Sequence, residues 1–264
     1  MVIYEDGVGE KMIAVKDIIN YTDTLLASHG TKDYAPNGLQ ISGVENIDSV
    51  YTAVTASKDV LEQVIASKGR FLLVHHGYFW QGEDRRLVGW MRERVKMCLM
   101  HDINLCAYHL PLDRHSQFGN NVLLAQIMQW EIEENLPSHA GGDMGLVGRT
   151  RQAMTGDVLA QELHKKLGYK PQVINNNPAK KLTRIAWCTG AAYDDISFAI
   201  TQGVDAFITG EISERIVHIA RESGIAFFAA GHYATEQFGV QALGSHLASH
   251  FSIKHQFLAS DCPV

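Results

Sequence analysis

The sequence has only four cysteines and six prolines in 264 residues, and no C-x-x-C pair. Cys98, Cys106, Cys188 and Cys262 stand too far apart for a disulfide framework or a thiolate zinc site, and they read as inert thiols of a reducing compartment. No Lys/Arg run exceeds two residues, and 29 acidic side chains against 23 basic ones leave a net charge of -6. General nucleic-acid binding and attraction to anionic lipid are therefore not expected. No apolar run approaches the ~18 residues that a membrane span requires. The opening Met-Val-Ile-Tyr-Glu-Asp is acidic where a secretory leader would be basic, so the expected location is cytoplasmic, away from the membrane. Neither G-x-x-x-x-G-K-S/T nor G-x-G-x-x-G occurs, which excludes the common ready-made phosphate loops.

What is present is a globular composition, 46% hydrophobic, with apolar runs that alternate between strand and helix periods. Helices are expected over 15–28, 58–67, 88–100, 121–130, 155–168, 194–201, 213–223 and 235–249. Strands are expected at 50–55, 71–74, 103–108, 145–148, 171–174, 185–189, 206–209, 225–230 and 253–258. Alternating βα units predict an α/β fold with mostly parallel sheets flanked by helices. The pattern also repeats. Thr55 and Gly69 recur as Thr189 and Gly203, offset by 134 residues, and His109 recurs as His232, offset by 123. Each copy ends as strand, histidine, three residues and a carboxylate, which reads as a duplication with about eleven extra residues around Trp80–Gly89 in the first copy. The expected division is a flexible extension over 1–12, a first α/β lobe of 13–125 with 232–264, and a second lobe of 126–231.

Thirteen histidines are many for this length, and their positions make chemical sense together. His75-His76 directly follows the apolar run Phe71–Val74, at the carboxyl end of a strand, where open α/β sheets bind ligands. His232 and Glu236 are four residues apart, one helical turn on one face, and Asp113 follows His109 at the same interval. His75, His76, Asp113, His232 and Glu236 form a nitrogen and oxygen donor set, suited to Zn, Mn, Fe or Co, if the duplicated units face each other. Five donors exceed the need of one open ion and suit two divalent ions bridged by Glu236. Glu211 reads as lining the cavity or capping the helix near Ser213, Asn37-Gly38 as a turn or a substrate contact, and Trp80, Trp90, Trp130 and Trp187 as core or interface.

The segments Asp33-Tyr-Ala-Pro-Asn-Gly-Leu-Gln-Ile-Ser-Gly43, Val74-His-His-Gly-Tyr-Phe-Trp80, Ala107-Tyr-His-Leu-Pro-Leu-Asp113, Thr209-Gly-Glu-Ile-Ser213 and Gly231-His-Tyr-Ala-Thr-Glu236 resemble the signature segments of the YbgI/Nif3-like family, the GTP cyclohydrolase 1 type 2 homologues. The resemblance runs in order from about Val15 to the end of the sequence. It implies a Nif3-like fold and a dinuclear site with His75, His76, Asp113, His232 and Glu236 as ligands. It places His109 beside the metals or on the substrate side. It also implies a homo-oligomer, a toroidal hexamer with its metal sites facing an internal cavity.

By the family's name the activity would be a metal-dependent hydrolase acting on a small molecule, the nucleotide GTP, with ring opening and release of formate. Two further readings keep the metal site. One is a phosphoesterase or amidohydrolase acting on another small substrate. The other is a non-enzymatic metal-binding scaffold or regulatory protein.

Overall fold

The computed structural model describes residues 11–264, so most of the expected extension over 1–12 lies outside the described residues. The chain divides into two compact units. One comprises the residues up to His109 with Gln241–Ser260, the other Leu110–Val240 with Asp261–Val264. The division falls after His109 and Val240, where the sequence reading places it after residues 125 and 231.

In the first unit a five-stranded sheet runs in the order Lys254–Phe257, Ser49–Thr55, Phe71–His76, Asn104–Ala107, Gly38–Ile41. The first four strands are parallel and the last is antiparallel. Central parallel strands are covered on both faces, so they need apolar side chains in succession rather than alternation. Phe71, Leu72, Leu73 and Val74 satisfy this and are all buried. The helices Val15–Leu26, Lys58–Ala66 and Gly89–Met100 belong to this unit, each within about two residues of its expected bounds.

In the second unit the sheet order is Glu131–Pro137, Asp143–Met154, Leu182–Trp187, Ala206–Thr209, Ala226–Ala229, Gln172–Ile174. Only the three strands beginning at Leu182, Ala206 and Ala226 are mutually parallel; the other pairings are antiparallel. The expectation of mostly parallel sheets therefore holds for the first unit, while the second sheet is mixed. The sequence reading also misses the first strand of the 131–154 hairpin. Glu131-Ile-Glu-Glu-Asn has the charge of a helix surface, but it forms an exposed edge strand, where charge discourages pairing with another chain. Phe207 and Phe227 stand opposite each other on adjacent strands, rings 5.9 Å apart, within the core of this unit.

The helix Gly156–Leu167 ends at Gly168, whose φ of 75° suits a left-handed stop. Thr155 occupies the position before it, but its side chain makes no capping bond. The last long helix begins at His232 rather than near Thr235 and runs to Phe251, so both His232 and Glu236 are on helix.

Candidate metal centre

In the first unit the donors come from two neighbouring strands. Phe71–His76 pairs in parallel with Asn104–Ala107, so residues just beyond Ala107 emerge at the same sheet end as His75 and His76. Adjacent strand residues ordinarily point to opposite faces. Here the strand ends at His76, and the two rings lie 4.6 Å apart. His109 joins them, its ring 5.1 Å from His75 and 5.8 Å from His76. One donor nitrogen from each of these three histidines lies within 4.8 Å of the other two. The indole of Trp80 stands edge-on to His109 at 4.9 Å, so this tryptophan walls the histidine cluster.

Each ring has a hydrogen-bond partner at Nδ1. His75 donates to the Tyr108 carbonyl at 3.0 Å, and the Thr55 hydroxyl meets His76 Nδ1 at 3.2 Å. Thr55 is opposite His76 in the parallel register, which puts the two side chains on one face of the sheet. His109 donates to Asp33 Oδ1 at 2.8 Å. A histidine fixed at Nδ1 in this way can present Nε2 to a metal.

In the second unit the helix start holds His232 and Glu236 with Nε2 and Oε2 2.9 Å apart. That is a charge-assisted hydrogen-bond distance, with both donors at one point of the helix face. His232 Nδ1 again has a carboxylate partner, Glu211 Oε1 at 2.6 Å. Glu211 therefore orients a histidine, correcting its reading as a helix cap. Burial pulls the His232 imidazole toward neutrality, but Glu236 and Glu211 outweigh it and push its pKa up to about 10. Asp113 ends a short helix, Leu110–Asp113, and one of its carboxylate oxygens lies within 4.8 Å of one from Glu236. Both carboxylates are buried. Asp113 accepts from the Asn120 side chain at 2.8 Å, and Asn120 accepts from the Gly239 amide at 2.8 Å.

These residues fit divalent metal. Buried carboxylates are costly to keep charged unless something cationic or donating compensates them. Cys188 sits within electrostatic reach of Asp113 and Glu236; burial, then the nearby carboxylates, hold its thiol far above the usual range. The candidate donor groups among the described residues contain only histidine and carboxylate, so the donor set is nitrogen and oxygen. Space is kept by glycine. A Cβ on Gly190, whose φ is 71°, would come 2.1 Å from Glu236 Oε1 and 3.2 Å from His232 Nε2.

The structure thus brings His75, His76 and His109 together within one unit, and Asp113, His232 and Glu236 within the other. Asn37 links His109 and Asp33. Its side chain accepts from the His109 amide at 2.8 Å and donates to Asp33 Oδ2 at 2.8 Å. Asp33, Thr55 and the orienting role of Glu211 are missed by the sequence reading. The signal for Thr55 is the strand register, which spacing alone does not reveal.

The family profile described as Duf34/NIF3 (NGG1p interacting factor 3) matches residues 13–263. The chain belongs to the Duf34/NIF3 family. Among relatives of this NIF3-family protein, the GTP cyclohydrolase 1 type 2 homolog of Pseudomonas aeruginosa is 43% identical over 251 residues, covering 95% of this chain and 98% of the relative. The protein of the same name from Pasteurella multocida is 41% identical, covering 96% and 99%. Of the solved structures, protein ybgI, titled as of unknown function, matches with a TM-score of 0.91 at 37% identity, covering 96% of this chain and all of that one. TTHA1606 of Thermus thermophilus matches at 0.84 with 29% identity, over 96% of this chain and all of that one. The NIF3-family chain is thus mixed α/β, with sheets flanked by helices and His/carboxylate groups able to bind metal. Among the described residues, no helix is long and apolar enough to cross a membrane.

Proposed function

We propose that this NIF3-family protein is a metal-dependent hydrolase whose dinuclear centre is held by His75, His76, Asp113, His232 and Glu236, with Glu236 touching both ions. The observation that carries the reading is the hydrogen bonding of the histidines. His75, His76 and His232 each have a partner at Nδ1, an arrangement that serves to present Nε2 to a metal. Two such ions supply Lewis acidity and a water acidic enough to attack near neutral pH. The chain's own residues hold the donors: Glu211 orients His232, Asn120 orients Asp113, and the Gly190 backbone leaves Glu236 its room.

The relatives' printed name supports GTP as the first substrate to test, with ring opening and loss of formate. The lack of a Gly-rich phosphate loop favours a second class, a smaller amide or phosphoester handled by the same centre. Assembly into a toroidal hexamer in the cytoplasm is part of the same proposal.

Elemental analysis of the purified protein beside a His232→Ala/Glu236→Ala variant tests the centre. About two transition-metal ions per chain, lost in a variant that keeps its far-UV circular dichroism, is the expected result. Formate release from GTP, compared with turnover of a panel of amides and phosphoesters, then separates the substrate classes. Metal bound without any turnover would leave a metal-binding scaffold.

A further inference from the structure

We infer that Trp80 is a specificity-determining residue of this centre, a wall against which the substrate lays a planar heteroaromatic ring. The inference rests on the reading that the centre is catalytic, and it deepens that reading by assigning ring recognition to one side chain.

Three observations carry it. The first is where Trp80 stands. Its ring is 4.9 Å from that of His109 and 5.9 Å from that of His76, and the side chain is half-buried, whereas Tyr78 two residues earlier is enclosed in the core. The second is its chemistry. The indole N–H donates to the Gly77 carbonyl at 3.2 Å, inside its own turn. With its one polar atom engaged there, the ring meets a ligand only through its π surface and apolar edge. Such a surface favours flat rings, because every heteroaromatic base has a π face and an aliphatic amide or simple phosphoester has none.

The third is backbone strain. Phe79 has a φ of 67°, in the left-handed region that bulky residues seldom adopt. Its side chain is 37% exposed, so packing of Phe79 itself does not compensate the strain. What the turn achieves is to set Trp80 against the histidines, and strain held in this way is characteristic of functional sites. The next residue fixes the result. The Gln81 amide donates to the Tyr34 carbonyl at 2.6 Å, one residue from the Asp33 carboxylate that bonds His109. One short stretch of chain therefore holds both His109 and the turn that presents Trp80.

The test is calorimetric titration of the full-length protein, supplied with Zn2+, with two probes: guanosine, a flat base without phosphate, and ribose 5-phosphate, a phosphoester without a base. Guanosine should bind, and Trp80→Leu should weaken it about 10-fold or more, the scale of one base–aromatic stack, with no change for ribose 5-phosphate. Trp80→Phe keeps a π face and should restore most of the affinity. Phe79→Gly accepts the left-handed turn without strain but loosens it, and should weaken guanosine binding at an unchanged urea midpoint, which a merely structural role would not do. No guanosine binding by the wild type, or equal binding by a folded Trp80→Leu variant, would overturn the inference. Elemental analysis of the same samples keeps the two readings apart. Metal bound with guanosine ignored sinks the inference alone, and guanosine held through Trp80 with no metal taken up sinks the metal-dependent hydrolase alone. Should Trp80→Leu misfold, fluorescence decides: guanosine is expected to quench wild-type tryptophan emission and to lose that effect in Trp80→Phe, and undiminished quenching there would refute the assignment.

Discussion

Glu211 Oε1 lies 2.6 Å from Nδ1 of His232, and Glu236 Oε2 lies 2.9 Å from Nε2 of the same ring. One imidazole is thus held between two carboxylates with different tasks. The exposed one meets the ring at Nδ1, and the buried one meets it at Nε2.

Glu211→Gln should therefore act on metal binding rather than on folding. Its side chain is 40% exposed, so the fold loses little. The orienting charge is lost, and metal affinity should fall about 10- to 100-fold. Competition with a chromophoric chelator measures the first effect and a urea midpoint the second.

Gly190→Ala should do both. The new methyl would stand 2.1 Å from Glu236 Oε1, at a backbone φ of 71° that disfavours any side chain. We expect a loss of about 1–3 kcal/mol in stability from overpacking and strain. Metal should be lost with it, because Glu236 has to move. Chemical denaturation and metal content of the same sample check the pair of effects.

Gly244→Ala sets two effects of opposite sign against each other. Alanine in a helix interior gains about 1 kcal/mol over glycine. The Cβ would meet His255 Nε2 at 2.4 Å and Thr52 Cγ2 at 2.5 Å, where those two side chains are hydrogen-bonded at 2.8 Å. The clash should win, with a net destabilisation of about 1–3 kcal/mol. A higher midpoint for the variant would contradict the packing described.

Asp205 gives the pH dependence. Burial opposes its charge, but hydrogen bonds from the Thr183 amide, the Lys180 ammonium and the Arg184 amide outweigh it and hold its carboxyl below the usual range. Its folded pKa being depressed, the stability it contributes is present above the unfolded value, near 4, and is lost as pH falls through the folded one. Urea midpoints from pH 7 down to pH 3 should drop more steeply for the wild type than for Asp205→Asn.

The amino-acid order by itself determined the element types around the site. Phe71–Val74 is apolar on successive positions and so becomes a strand covered on both faces, with His75 and His76 at its end. The four-residue step from His232 to Glu236 is one helical turn, and it puts both on one face because the helix begins at His232. Local periodicity and spacing suffice for such features, because each is decided by neighbours a few residues away. The edge strand Glu131–Pro137 was not legible, since its charge reflects exposure at a sheet edge rather than any local period.

Only the tertiary structure decided which side chains support the donors. Asp33 reaches His109 across 76 positions of sequence, Thr55 reaches His76 through the parallel register, and Glu211 reaches His232 from the neighbouring strand end. A hydrogen bond needs its partners within about 3 Å, and that proximity is a product of strand order and register. The sequence names the donors; the fold supplies the partners that aim them.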